Sequence, residues 1–116
     1  MVNYSYCMAE EFSLAALDRV LENIAFDTEF SIPELCKMLA LSRTSLHRKI
    51  TQSAGQSISL YVREFRLRKA YELLQSGELS VSDVAYEVGF SDLAYFSKCF
   101  KKVYGVAPSR LLNNED

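Results

Sequence analysis

The stretch "LALSRTSLHRKI", residues 39–50, decides the fold of this sequence, because its layout returns in "VGFSDLAYFSKCF", residues 88–100. In each stretch a helix-like run ends at apolar residues, and a short polar turn leads into a second run that carries basic side chains. Two helices joined by a tight turn form a helix-turn-helix unit. The repeated layout therefore predicts two such units in one chain of 116 residues.

Polar residues that commonly cap helices stand before both helices of each predicted unit. These N-caps are Ser31, Ser42, Ser80 and Asp92. Glu34 follows the first cap by three residues and Asp83 follows the third, which is the spacing of a capping box. The caps and the apolar periodicity together predict helices at about 32–40, 43–53, 81–88 and 93–104.

The two units can be aligned position by position. The paired apolar residues are Leu35, Leu41, Leu46 and Ile50 in the first unit, and Val84, Phe90, Phe96 and Phe100 in the second. Ala40 pairs with Gly89, which we expect to be the small residue where one helix crosses the next. Arg48 pairs with Lys98. The second turn is one residue longer, since 11 positions separate Leu35 from Leu46 and 12 separate Val84 from Phe96.

The rest of the chain also has helical periodicity and no alternating strand pattern. A first helix is expected at about 10–25, and its apolar face carries Phe12, Leu14, Ala15, Leu17, Leu21 and Ile24. A long helix is expected at about 57–76 between the units, with a short one after Pro108. The bases of the long helix, Arg63, Arg66, Arg68 and Lys69, are expected to form a solvated face with one or two structural pairs. The predicted fold is all-α, with about seven helices and two helix-turn-helix subdomains joined by a linker helix. The expected domain organisation is an N-terminal extension at 1–9, one helical domain at 10–112 and an acidic tail at 113–116. Within the helical domain we expect a first subdomain at 10–55, the linker helix at 57–76 and a second subdomain at 79–112.

The charges are segregated along the chain, although the net charge is only −2. Residues 1–30 hold six acidic and one basic residue, whereas residues 31–112 hold twelve basic and seven acidic residues. A basic body of this kind favours a polyanionic partner. The chain has no apolar run of about 20 residues, no signal-peptide pattern, and three scattered cysteines without a metal-binding or disulfide pattern, so a cytoplasmic protein is expected.

Spacing on the second helix of each unit divides a core face from an outer face. In the first unit Leu46 and Ile50 face the core, and the outer face carries Arg43, Thr44, His47 and Arg48. In the second unit the outer face carries Leu93, Ala94, Ser97 and Lys98, with Lys101 and Lys102 beyond. The first face is rich in groups that read base edges, and the second suits thymine-methyl contact and phosphate attraction.

These residues resemble those of the AraC/XylS-type bacterial transcription regulators over about residues 10–110. The similarity lies in "LALSRTSLHRKI", in "LYVREFRLRKAYELLQSG" (60–77), and above all in "VSDVAYEVGFSDLAYFSKCFKKVYGVAPS" (81–109). The resemblance implies a seven-helix fold whose two units enter successive major grooves. It implies base-reading positions at Thr44, His47, Arg48, Leu93, Ala94, Tyr95 and Lys98. The chain departs from the family in "PSRLL" (108–112), which lacks the usual C-terminal Tyr-Arg pair.

Sequence-specific binding of double-stranded DNA and control of transcription, by activation or by repression, is the leading functional hypothesis. The resemblance also implies RNA polymerase as a partner, and a sensor or receiver domain if the chain is the output domain of a two-component regulator. The isolated domain is expected to be a monomer. The alternative is a helical module that docks on polymerase or a sensor domain. An enzyme is not expected, since the sequence shows no phosphate loop, metal-ligand cluster or catalytic triad, and no cofactor is expected either.

Overall fold

The computed structural model describes residues 12–112, and these residues form seven α-helices and no strand. The all-α prediction is therefore confirmed for this part of the chain. The helices are α1 (Leu14–Ile24), α2 (Ile32–Leu39), α3 (Arg43–Ala54), α4 (Ile58–Ser76), α5 (Val81–Glu87), α6 (Leu93–Tyr104) and α7 (Pro108–Leu112). None of these helices is long and apolar enough to cross a membrane. The predicted extension at 1–9, Cys7 and the predicted tail at 113–116 lie outside the described residues.

Side-chain capping explains where the helices begin. In each of α1 to α6 an N-cap oxygen accepts a hydrogen bond from a backbone N–H three residues later; the caps are Ser13, Ser31, Ser42, Ser57, Ser80 and Asp92. The four caps predicted for the two units are confirmed. The predicted start of the first helix at about 10 was wrong, because Ser13 is extended and caps a helix that begins at Leu14.

The buried side chains form two cores, one in each half of the described chain. The first core lies among α1, α2, α3 and the first half of α4, and the second lies among the rest of α4, α5, α6 and α7. We call these halves unit 1 and unit 2. Helix α4 serves both, since Val62 and Phe65 belong to the first core and Leu67 and Leu74 to the second. Phe26 packs against both cores, so the two units are in direct contact.

Two details of the core differ from the expectation. Ala15, which the periodicity placed with the apolar residues of the first helix, is exposed, whereas Ala16 and Val20 are buried. At the C-terminus, Leu111 and Leu112 pack against the second core, so α7 is held by aliphatic side chains at the two positions where the resemblance led us to expect Tyr-Arg. The departure at "PSRLL" therefore leaves the last helix docked.

The turn between the two helices of each unit has the same hydrogen bonds in both copies. In unit 1 the N–H of Leu41 donates to Cys36 O at 3.1 Å, and in unit 2 the N–H of Phe90 donates to Ala85 O at 2.9 Å. The residue before each donor has a positive φ, +58° at Ala40 and +100° at Gly89. The pairing of these two positions is confirmed, and in both copies the chain turns through the left-handed region. Gly89 suits that conformation and also meets neighbouring atoms closely, whereas Ala40 adopts it against the preference for glycine.

Candidate nucleic-acid interface

Helix α3 presents a polar face to solvent and an apolar face to the core. Leu46 and Ile50 are fully buried, as the spacing predicted. The outer face carries the four exposed side chains that the sequence singled out, Arg43, Thr44, His47 and Arg48. Within the described chain none of these four makes a hydrogen bond or an ion pair to another side chain, so their donors are available to a ligand. Lys49 differs, since its ammonium lies 6.0 Å from the centre of the Phe12 ring.

Helix α6 has the same division into faces with different residues. Phe96, Cys99 and Phe100 are buried against the second core. The outer side carries five exposed residues from the predicted set, Leu93, Ala94, Lys98, Lys101 and Lys102. Ser97 is only half-buried and lies between the two faces. The exposed fraction of Leu93 is 45%, which is high for a large apolar side chain and gives the start of α6 an apolar surface.

The charge on these two helices is of one sign. Helix α3 carries three Lys or Arg residues and no Asp or Glu, and α6 likewise carries three lysines and no acid. All seven acidic residues between 31 and 112 lie on other segments. Two cationic helix faces without a neighbouring carboxylate on the same helix are well suited to the phosphates that flank a major groove.

Tyr95 connects α6 to the linker helix. Its phenol oxygen accepts a hydrogen bond of 3.0 Å from Arg63 Nη1, and its ring lies 6.1 Å from that of Phe90. The side chain is nevertheless 46% exposed. The sequence left Tyr95 open between the core edge and the groove surface, and the structure places it at the rim, bonded to α4 on one side and open on the other.

A cleft of about 430 Å³ separates the two units beside Tyr95. Phe30 and Ser31 of unit 1 line one wall, Arg63 and Arg66 of α4 form the floor, and the turn from Gly89 to Tyr95 lines the other wall. The start of α6 therefore borders the gap between the units. Any change in the width of this gap would move α6 relative to α3.

Arg66 is the functional candidate that reasoning from the sequence missed, because its spacing groups it with the solvated bases of α4. Its Nε donates to Ala25 O at 2.6 Å, and its guanidinium carbon lies 5.5 Å from the centre of the Phe30 ring. Burial lowers the pKa of this guanidinium, and the negative charge of Asp27 opposes that effect. The group still stays charged at neutral pH. No local signal marks it, since Ala25 lies 41 residues away.

The fold and the two cationic faces define a class of protein, a double helix-turn-helix DNA-binding domain. The chain matches the family model described as "Helix-turn-helix domain" over residues 35–114. It is 41% identical to the HTH-type transcriptional activator RhaS of Mannheimia succiniciproducens over 93 residues, which is 80% of this chain and 34% of the relative. It is also 29% identical to Histidine kinase P4 of Formosa agariphila, over 96% of this chain and 9% of that protein.

Solved structures of two response-regulator domains have the same fold as this chain. The C-terminal domain of the response regulator yesN of Fusobacterium nucleatum superposes with a TM-score of 0.75 at 30% identity, over 86% of this chain and 98% of that one. The C-terminal domain of AraT, a response regulator of Geobacillus stearothermophilus, gives 0.77 at 28% identity, over 88% and 84%. The chain belongs to the AraC-type helix-turn-helix family of DNA-binding transcription regulators. It spans about a third of the length of the RhaS relative.

Proposed function

We propose that this chain binds a two-part site on double-stranded DNA and regulates transcription, with α3 and α6 in successive major grooves. One observation carries the proposal: a single folded body presents two second helices, each with an outward face that is cationic and free of acids. A major groove admits one α-helix, and successive grooves on one side of DNA are about 34 Å apart. Both recognition elements are in one chain, so the isolated domain acts as a monomer.

In unit 1 the proposed contacts are made by side chains of α3 to base edges in the major groove. Arg48 has a planar guanidinium that can bond both the O6 and N7 acceptors of a guanine. Thr44 and His47 lie on the same exposed face and offer a methyl, a hydroxyl and an imidazole. Arg43 stands at the first position of α3, where it reaches either a base or the flanking phosphate.

In unit 2 the proposed contacts depend more on shape and charge. Leu93 and Ala94 give the start of α6 an apolar surface that fits thymine methyl groups. Tyr95 adds a ring at the edge of that surface. Ser97 is half-buried, so only part of it is exposed for contact with DNA. Lys98, together with Lys101 and Lys102 toward the end of α6, supplies point charges for phosphates.

The larger context is also proposed from the relatives. Two solved neighbours are the C-terminal domains of response regulators, and one relative is a histidine kinase, so a receiver or sensor domain in the same polypeptide is the expected source of the signal. The RhaS relatives are transcriptional activators, so we propose activation, through contact with RNA polymerase in the cytoplasm.

Selection of bound duplexes from a random DNA pool tests the proposal. Sequencing should return one motif with two conserved blocks whose centres lie about 10 base pairs apart. A titration of one selected duplex at several salt concentrations should give a linear fall of log affinity with log salt. A pool that returns no motif, together with binding that does not respond to salt, would contradict DNA recognition and favour the alternative of a protein-docking module.

The oligomeric state is tested separately by sedimentation of the complex on the selected duplex. One chain per duplex with both blocks protected from cleavage agrees with the proposal. Two chains per duplex with two-fold symmetric protection would contradict the monomeric mode of binding.

A further inference from the structure

One of the contacts between the two units passes through a side chain of the linker helix. Arg66 Nε donates to Ala25 O at 2.6 Å, and one of its terminal nitrogens donates to Asp27 O at 3.4 Å. Both carbonyls belong to the end of α1 and the segment that follows it, in unit 1. The guanidinium also lies over the ring of Phe30, the residue just before the N-cap of α2. Arg66 is therefore bonded to unit 1 on one side.

The other side of the same guanidinium faces the turn of unit 2. A Cβ added at Gly89 would lie 2.9 Å from Arg66 Nε, closer than real Cβ atoms approach other atoms, and 3.2 Å from Ala25 O, which is tighter than most Cβ contacts. The backbone of unit 2 thus lies against the guanidinium and against the carbonyl that the guanidinium binds. Gly89 is buried, and its turn leads within three residues to Asp92, the N-cap of α6. The position of α6 follows from where this turn rests.

A second arginine of α4 reinforces the connection one turn earlier. Arg63 lies three residues before Arg66, on the same side of the helix, and its Nη1 donates to the Tyr95 hydroxyl at 3.0 Å. The two arginines thus hold both the turn and the first turn of α6. The short bond from Arg66 to Ala25 O is partly buried and made to a backbone atom, so it constrains the units more tightly than the exposed bond between the side chains of Arg63 and Tyr95.

We propose that Arg66 is a positioning residue that, through the Ala25 carbonyl and the turn at Gly89, sets the spacing between the two half-sites that the domain accepts. This inference rests on the proposed two-part DNA binding. A shift of one base pair moves a half-site by about 3.4 Å and rotates it by about 35° around the DNA axis. A rigid connection between α3 and α6 cannot follow such a shift, whereas a loose connection can. Arg66 itself need not touch DNA.

The test compares duplexes that differ only in spacing. The selected site is prepared as found, with one base pair inserted between the blocks, and with one deleted. For the wild-type domain each change should lower the affinity by about tenfold or more, because the contacts of one unit are misplaced. For Arg66→Lys the same change should cost less than about threefold, since an ammonium cannot bond two carbonyls while lying flat between Phe30 and Gly89.

The control is Arg68→Lys, the same substitution two residues later on an exposed side chain. Both variants keep their charge, so a general loss of phosphate attraction does not distinguish them. Gly89→Ala is the second variant, because its Cβ presses on the guanidinium from unit 2. The readout is a ratio of affinities for two duplexes, which a lower fraction of folded protein does not alter.

The outcomes separate the inference from the function on which it rests. A wild-type domain that tolerates all three spacings equally would overturn both the two-part binding and the inference. A wild type with a sharp spacing preference that Arg66→Lys retains in full would overturn the inference alone. A preference that is relaxed in Arg66→Lys and in Gly89→Ala, and kept in Arg68→Lys, is the expected result.

Discussion

Unit 1 and unit 2 have the same backbone plan and different interiors. The core of unit 1 is mainly aliphatic, and its pair at the centre of α3 is Leu46 and Ile50. The core of unit 2 contains a chain of rings: Phe96 lies 5.2 Å from Phe90 and 5.8 Å from Phe100, and Phe100 lies 4.8 Å from Tyr104. The repeat therefore preserves which positions are buried, and it does not preserve what fills them.

The outer faces of α3 and α6 differ in their hydrogen-bonding groups. Unit 1, with the simpler core, has the reading face that is richer in hydrogen-bonding groups. Unit 2, with the ring-filled core, has an apolar start to α6 followed by lysines. Unit 2 also contacts two arginines of the linker helix: Tyr95 accepts a hydrogen bond from Arg63, and the turn at Gly89 packs against Arg66, which is itself bonded to unit 1. The contrast favours a division of labour, in which unit 1 supplies base discrimination and unit 2 supplies a rigidly placed, less selective contact.

Truncation of the core should expose the difference between the interiors most strongly. We expect Phe96→Ala to lower the free energy of unfolding by about 3–5 kcal/mol, through lost apolar burial and the cavity left behind. Leu46→Ala, at the paired position, should cost about 1 kcal/mol less, because it breaks no ring contacts. Denaturant unfolding of both variants measures this. An equal or larger loss in Leu46→Ala would show that the rings of unit 2 add nothing beyond their area.

Removal of the guanidinium from the reading face of unit 1 should have the next largest effect. Arg48→Ala should weaken binding of the selected duplex by about 1–3 kcal/mol and relax the base preference at one position of one block. The measurement is a panel of duplexes that each carry one base change. Arg19→Ala, an exposed arginine on α1, is the control. Unchanged preference at every position would remove Arg48 from the base-reading set.

The paired lysine of unit 2 should behave differently from Arg48. Lys98→Ala should weaken all duplexes of the panel by a similar factor of about five, and should lower the slope of log affinity against log salt by about one unit. The same panel at several salt concentrations gives both numbers. If Lys98→Ala removed the preference for one base as Arg48→Ala does, the two units would read DNA in the same way.

Local rules predicted much of this fold. The side chains of Ser31, Ser42, Ser80 and Asp92 act within three residues of their own positions, so the sequence shows them directly. The apolar spacing likewise predicted the buried side of α3 and α6. The outward placement of Arg48 and Lys98 follows from the same periodicity, and their role on DNA stays a prediction.

The contacts between distant segments could not be predicted in this way. The bond from Arg66 to Ala25 joins positions 41 residues apart, and that from Arg63 to Tyr95 joins positions 32 apart. An arginine on a helix surface looks the same in sequence whether it meets water or a backbone carbonyl. The left-handed turn at Ala40 was missed for another reason: alanine there breaks the preference for glycine, so the residue type gave no signal.

A partly buried phenol in unit 1, that of Tyr61, predicts a pH effect on stability. Burial, helped by the hydrogen bond to Asp18 of 2.6 Å, raises the pKa of Tyr61 to about 12. An unfolded tyrosine loses its proton near pH 10. The stabilising effect of the protonated phenol is therefore complete below about pH 10 and is lost as the pH rises toward 12. Tyr61→Phe should cost about 1 kcal/mol at pH 7.

The same variant should show a shallower fall in the free energy of unfolding between pH 10 and 12 than the wild type, when both are followed by denaturant unfolding. In unit 2, burial also raises the pKa of Tyr104. This phenol is packed among rings and has no hydrogen-bonded carboxylate in the described structure. It is present in both proteins and cancels in the comparison. Parallel pH profiles for wild type and Tyr61→Phe would contradict the raised pKa of Tyr61.

Substitution in the turn of unit 1 should have the smallest effect on the free energy of unfolding. Its sign should be opposite to that of the same substitution inside a helix. Ala40 has φ of +58° and is exposed, whereas Gly89 has φ of +100° and faces Arg66. An L-residue in the left-handed region costs about 1–2 kcal/mol, and glycine removes this cost. Glycine also raises the entropy of the unfolded chain, which lowers stability by about 0.4–1 kcal/mol. Ala40→Gly should therefore stabilise the domain by about 0.5–1 kcal/mol. Ala15→Gly, at an exposed position inside α1, should destabilise it by about 1 kcal/mol. Thermal and denaturant unfolding of both variants measure the two signs. Destabilisation by Ala40→Gly would mean that the alanine side chain makes a contact in unit 1 that outweighs its backbone strain. The left-handed conformation at position 40 would then not be a net cost to the stability of unit 1.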